Sequence, residues 1–292
     1  MMTLAPQSTN EHSGQDTAMP PRADCVADSA GGLTFDVTET GEPGSATLVL
    51  RSRDGRADVN LPLTPAGDGR LRAALPSGVA LPEGRWDAYA RVADGEPQRL
   101  LPGVNDLRSL VDRVPTASRG HVAVRIPYAT KHGNLSVRSW LRAPHAEAGE
   151  LRISDGTLSV SGRVYGTGCA PGARAELRLR GADGSRTRLG ADVTADRAEF
   201  GFTVDYRALR PGTWDLWLHP AGEDGPELRI ARLLDDVADK KPIFTYPRTA
   251  VDLADGGRVE AGPYYTNDND LSVAVAAAER STPQDTQAAQ TD

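Results

Sequence analysis

The amino-acid sequence predicts an all-β protein made of two tandem β-sandwich domains, each with one short helix, between disordered termini. Three observations point there: a long internal repeat, apolar residues at every second position, and Asp-Gly turn signals at near-regular intervals. The 292 residues leave room for two domains at the usual size of about 100 to 200 residues each. The repeat divides the chain into a tail over 1–30, a first copy over 31–142, a linker over 143–150, a second copy over 151–277 and a tail over 278–292.

The repeat runs in one order through both halves. Leu81, Gly84, Trp86, Asp87 and Tyr89 return 128 residues later as Leu209, Gly212, Trp214, Asp215 and Trp217. Upstream, ATLVLRSRDG (46–55) matches AELRLRGADG (175–184) at an interval of 129, which pairs Leu48 with Leu177 and Leu50 with Leu179. Downstream, IPYATKHGNLSVR (126–138) matches GPYYTNDNDLSVA (262–274) at an interval of 136, as an insertion in a connecting loop produces.

The period within each copy is two. Leu177 and Leu179 alternate with Arg178 and Arg180, and Phe200 and Phe202 with Gly201 and Thr203, so one face is apolar and the other wet. Asp54-Gly55, Asp68-Gly69, Asp94-Gly95, Asp183-Gly184 and Asp224-Gly225 supply the turns of an antiparallel sandwich. In Leu209-Arg210-Pro211-Gly212-Thr213-Trp214 a leucine closes one strand, Pro-Gly turns the chain and an aromatic opens the next. This resembles the E to F corner of immunoglobulin-like sandwiches. Trp86 and Trp214 stand where those domains carry tyrosine, so packing and an indole N–H replace the hydroxyl bond, and both are expected as core anchors.

One helix per copy is predicted from apolar residues spaced by three and four: Leu107, Leu110 and Val111 in 105–113, and Leu234, Val237 and Ala238 in 233–241. Asp235, Asp236 and Asp239 then fall on its solvated face, since the first copy has Arg108, Ser109 and Asp112 there.

Composition narrows function by exclusion. Forty acidic residues against 33 basic ones give a net charge of −7, which opposes a general polyanion binder and hence nucleic acid. Only Lys131, Lys240 and Lys241 are lysine, and the arginine excess accompanies abundant Ala, Gly, Pro and Asp, a compositional bias and no sign of a phosphate site. No stretch has the apolar run of a signal-peptide core or a membrane span, so the chain is expected in the cytoplasm.

No catalytic, cofactor or metal set emerges. Cys25 and Cys169 are too few for a disulfide framework or a zinc cluster. Asn267, Asp268, Asn269 and Asp270 form the densest oxygen cluster, but Lys131, His132, Gly133 and Asn134 take its place in the first copy, so the shared role is a turn. His121, His132, His145 and His219 lack metal spacing and read as surface residues. No nucleophile elbow, dinucleotide fingerprint or P-loop is present. Aromatics with polar neighbours are the candidate glycan or partner contacts: Tyr89, Trp217, Trp140 and Tyr265, with Asp268 and Asp270; Tyr165 and Tyr246 are further aromatics of this kind. Trp217 lies three residues from Trp214 and so projects from the opposite face of its strand.

The segments PGTWDLWL, RLLDDVADKKPIF and PYYTNDNDLSV together resemble β-sandwich accessory modules associated with actinobacterial cell-wall glycopolymer enzymes, of the family-2 glycosyltransferase and CDP-glycerol glycerophosphotransferase types. The resemblance covers about residues 150–276 well and the first copy more loosely. It implies that transferase chemistry resides in a separate α/β domain, which this chain lacks, so no catalytic residue carries over. It implies a non-catalytic module that docks a glycosyl- or glycerophosphotransferase, self-associates or binds glycan. The alternative is a small transferase-type enzyme, or a piece of one, acting on cell-envelope polymers.

Overall fold

The computed structural model describes residues 20–38, 45–111, 113–115, 121–181 and 187–278; most of both expected tails, and the Asp183-Gly184 turn, lie outside them. The chain is all β, with a ten-stranded and an eleven-stranded sheet. The first holds β1 (Arg22–Ala27), β2 (Leu33–Thr38), β3 (Ala46–Ser52), β4 (Asp58–Pro65), β5 (Arg70–Leu75), β6 (Gly84–Val92), β7 (Gln98–Arg99), β8 (Leu101–Asp106), β9 (Val122–Ala129) and β10 (Leu135–Arg142). The second holds β11 (His145–Ser154), β12 (Thr157–Tyr165), β13 (Arg174–Leu179), β14 (Arg188–Asp192), β15 (Thr194–Asp196), β16 (Glu199–Asp205), β17 (Gly212–His219), β18 (Leu228–Ala231), β19 (Thr249–Asp252), β20 (Arg258–Tyr265) and β21 (Leu271–Ala277). Among the described residues no helix is long and apolar enough to cross a membrane.

The pairing of the first sheet is repeated in the second. Antiparallel ladders β1–β2–β5 and β3–β6–β10–β9 return as β11–β12–β16 and β13–β17–β21–β20, and the parallel pair β1–β8 returns as β11–β18. Alternation places Phe35, Val37, Leu48, Leu50, Ala88 and Val137 in one core, so β2 and β3 face each other across it and the sheet is folded over on itself. Leu158, Val160, Leu177, Phe202, Leu216 and Val273 do the same in the second.

The ladder corrects the repeat register by two residues. Leu50 lies opposite Ala88 and Leu177 opposite Leu216, so Leu177 matches Leu50, not Leu48, at an interval of 127. A shift of two residues keeps every side chain on its own face, so the apolar pattern alone does not distinguish the registers. The connection from β13 to β14 is longer than that from β3 to β4 and absorbs the slip.

Trp86 and Trp214 are buried as expected. Their indole N–H groups bond back to the chain four residues upstream, Trp86 Nε1 to the Pro82 carbonyl at 3.1 Å and Trp214 Nε1 to that of Arg210 at 2.9 Å. Indole thus makes the backward bond that a tyrosine hydroxyl makes in related corners.

Four further expectations are overturned. The two predicted helices reduce to one 3-10 turn at Arg108–Leu110 and an irregular segment over 232–240. In that segment side chains replace the helical acceptors, Asp235 taking the N–H group of Val237 and Asn269 that of Lys240, while the Glu147 carboxylate takes the N–H groups of Leu233 and Leu234. Asp235 accordingly turns inward, 2.7 Å from the buried Lys240 Nζ and 3.1 Å from Arg232, instead of facing solvent. Residues 22–27, left to the N-terminal tail, form β1 because Ala23, Cys25 and Ala27 face the core; residues 145–150, left to the linker, open β11. His145 and His219 are buried, not superficial, with Glu147 2.7 Å from the ring of His145 and Glu176 3.4 Å from that of His219.

The halves share packing. Ala231, the last residue of β18, and Leu233 just after it lie in the first core, with Leu234 and Ala238 against it.

Candidate functional site

The outward faces of β6 and β17, each central in its sheet, carry the same six-residue cluster. On β6 the Asp87 Oδ1 accepts from Ser136 Oγ at 2.7 Å and Arg53 Nε at 2.9 Å, with Arg99 Nη2 at 3.1 Å. On β17 the Asp215 Oδ1 accepts from Ser272 Oγ at 2.9 Å, Arg180 Nη2 at 2.7 Å and Arg229 Nη2 at 2.7 Å, and its Oδ2 from Arg180 Nε at 2.9 Å. Two residues along each strand an aromatic lies against guanidinium groups: Tyr89 with Arg51 at 5.2 Å and Arg99 at 4.9 Å, Trp217 with Arg178 at 4.4 Å and Arg229 at 5.7 Å. The second arginine also caps a strand carbonyl in each copy, Arg99 that of Ala88 and Arg229 that of Leu216.

The electrostatics suit holding and not proton transfer. Burial pushes the Asp87 carboxyl up, but Ser136, Arg53 and Arg99 outweigh it and leave it below the ordinary carboxylate range. Asp215 ends low in the same way, with burial opposed by Arg180, Arg229 and Ser272. A carboxylate held low has no proton to give near neutrality, and the arginines lose none. Burial lowers Arg229 despite Asp215 and Asp270.

The second cluster differs in its surroundings, because the junction of the halves walls it. A cavity of about 510 Å³ is lined by Arg142, Pro144, Arg180, Trp217, Glu227 and Asp270, among others. Asp270, at the end of the 266–270 turn between β20 and β21, lines the cavity, and in that turn Asn269 at φ 62 takes the left-handed place that Gly133 at φ 74 takes between β9 and β10. Its carboxylates point at arginines of β10: Arg138 Nη2 reaches Asp268 Oδ1 at 2.5 Å and Arg142 Nη1 reaches Asp270 Oδ1 at 2.8 Å. Arg142 also grips Glu83 at 3.0 Å, and Trp140 Nε1 donates to the Asp268 carbonyl at 3.1 Å.

The candidate contacts therefore separate. Trp217 and Asp270 meet in the cleft, and Tyr89 holds the matching place in the first copy. Asp268 and Trp140 belong to the junction, where Trp140 is wholly enclosed under Arg138. Tyr265 is wholly enclosed against Phe244 and Tyr246, so neither of these two rings offers a face to a ligand. Tyr165 stacks on His145. Sequence reasoning missed Arg53, Arg99, Arg180 and Arg229. The available signal was a further match, Gln98-Arg99-Leu100 with Leu228-Arg229-Ile230, at an interval of 130.

No protein-family model matches the chain, and no curated protein does. Among solved structures it is similar to S. aureus TarS at 14% identity, with a TM-score of 0.28, over 67% of this chain and 38% of that one. A fragment of TarS matches at 15% identity and a TM-score of 0.28, over 62% of this chain and 54% of the fragment. The tetra-tandem repeat of a large adhesion protein matches at 11% identity and a TM-score of 0.21, over 88% and 74%. The chain thus spans 38% and 54% of the two TarS chains.

Proposed function

We propose that the chain is a non-catalytic module of two tandem immunoglobulin-like sandwiches, about 22–142 and 145–277, accessory to a cell-wall glycopolymer transferase of the actinobacterial type. In this reading it binds glycan at the junction cleft and keeps the two copies in one fixed relation to the partner enzyme. The observation that carries it is the repeated Asp-Arg-Arg-Ser cluster: in both copies two arginines and a serine converge on one carboxylate, an arrangement that fixes shape and presents polar atoms. An acid or base poised near neutrality, which polymer transfer or hydrolysis needs, has the opposite electrostatics. The matched segments PGTWDLWL and PYYTNDNDLSV, which contribute Trp217 and Asp270, support the cell-wall context.

The test is a titration of the whole chain with wall glycopolymer fragments, followed by tryptophan fluorescence. A saturable change at or below millimolar ligand is expected. No change removes the glycan part of the reading; a co-purification with the transferase then decides whether docking remains.

A further inference from the structure

We propose that the cleft beside Trp217 selects an uncharged, hydroxyl-rich saccharide of about two rings and not the phosphate of a polymer backbone. This rests on the glycan reading above and names the part of the polymer it would grip. The cavity of about 510 Å³ falls within the roughly 300 to 1,000 Å³ of small-molecule sites. Its wall offers an indole, acceptors in Glu227 and Asp270, and donors in Arg142 and Arg180. A sugar hydroxyl both donates and accepts, so a wall that alternates the two matches a row of hydroxyls.

An anion meets the opposite situation. Arg180 is forked onto Asp215 at 2.7 and 2.9 Å, and Arg142 is divided between Asp270 and Glu83. Arg229 spends its guanidinium on Asp215, Ser272 and the carbonyls of Leu216 and Leu271. The remaining N–H donors of Arg142 and Arg180 suit a neutral hydroxyl, whereas a phosphate would meet arginines whose charge is already offset by carboxylates and would face Glu227 and Asp270.

A second observation points to a missing acceptor. Trp217 Nε1 and Nη2 of the nine-tenths buried Arg178 are enclosed with no hydrogen-bond partner. Arg178 lies over the Trp217 ring and holds Glu227 of the cleft wall at 2.9 Å. Buried donors without partners are uncommon because each gives up the hydrogen bond that water would make with it. Glu227 joins Arg178 to the cleft wall, so a ligand oxygen that displaced the Glu227 carboxylate and drew the Arg178 side chain toward the cleft would supply the acceptor.

The molecule provides its own reporter. Of its four tryptophans, Trp86, Trp140 and Trp214 are buried and Trp217 alone is partly open, so acrylamide quenching of the whole chain reads Trp217. The probes are diacetylchitobiose and maltose as neutral disaccharides, and glycerol 1-phosphate and inorganic phosphate as anions. The expected result is saturable protection by at least one disaccharide, no protection by either anion, and an affinity that changes less than about twofold when salt shortens the screening length from about 30 to about 3 Å. By calorimetry, Trp217→Phe and Glu227→Gln should each weaken binding about tenfold with the far-ultraviolet circular dichroism unchanged. Protection by glycerol phosphate that fades with salt overturns the ligand class and leaves a glycopolymer-binding module. Binding unaltered in both variants overturns the site. No response to any probe, when wall glycopolymer fragments do bind, overturns this inference alone; no response to those fragments either overturns the glycan reading beneath it.

Discussion

Leu233→Ala tests whether the two halves are one cooperative body. Leu233 is fully buried in the core of the first sheet, although β18 just before it pairs in the second sheet and places Leu228 and Ile230 in the second core. Truncation to alanine removes three carbons, at about 0.8 kcal/mol per methylene. The cavity left behind adds to that, because the segment over 232–240 is pinned by Glu147, Asp235 and Asn269 and has little freedom to collapse. About 3–4 kcal/mol is expected, inside the range of about 2–5 for such sites. The assay is urea unfolding of the full chain, read by tryptophan fluorescence, since Trp86 and Trp140 lie in the first core and Trp214 in the second. The account predicts one transition shifted for all probes. A loss below about 1 kcal/mol, or a shift confined to the second core, refutes the idea that this segment completes the first.

Acid unfolding should expose the Asp215 cluster. Its carboxyl is held below the ordinary range in the folded chain, so its stabilisation is full above the unfolded value of about 3.9 and is lost as pH falls through the folded value. Asp215→Asn leaves Arg180 and Arg229 without their shared partner and should cost about 3 kcal/mol at pH 7, with the difference from wild type closing in acid; a constant difference across pH would count against the cluster. The two matching turns give a comparison within one molecule. Gly133→Ala meets no atom within 4 Å and carries only the strain of φ 74, about 1 kcal/mol. Asn269→Ala keeps a comparable strain and also loses the bonds to the Ala238 carbonyl and from the Lys240 N–H, so thermal unfolding should show about 3 kcal/mol; equal losses would deny the junction role of this turn.

Much of the fold was legible because it rests on local rules. The tryptophan corners, the strand alternation and the Asp-Gly turns each need only a few adjacent residues. The failures have one physical origin, side chains that act across the sheet. Asp235 and Asn269 take the N–H groups of Val237 and Lys240 that an α-helix at 233–241 would have kept, and Leu233 is drawn into a core built by the other half. The register of β3 against β13 depends on which residue lies opposite on β6 and β17, which periodicity leaves undetermined. The arginines of the cluster were masked by abundance: among thirty arginines the match of Arg99 with Arg229 stands out only once Arg53 and Arg180 are seen on equivalent aspartates. Of the candidate site, Trp217 and its place opposite Trp214 could be read from a spacing of three, whereas the junction that encloses Trp140 could not.

The most direct test of the central claim is calorimetric binding of cell-wall glycopolymer fragments, with the mass of the fragments recorded before and after prolonged incubation. A module predicts saturable binding that weakens with Trp217→Phe, and fragments recovered at unaltered mass. Fragments shortened or extended by the chain alone, or binding indifferent to Trp217, would contradict it.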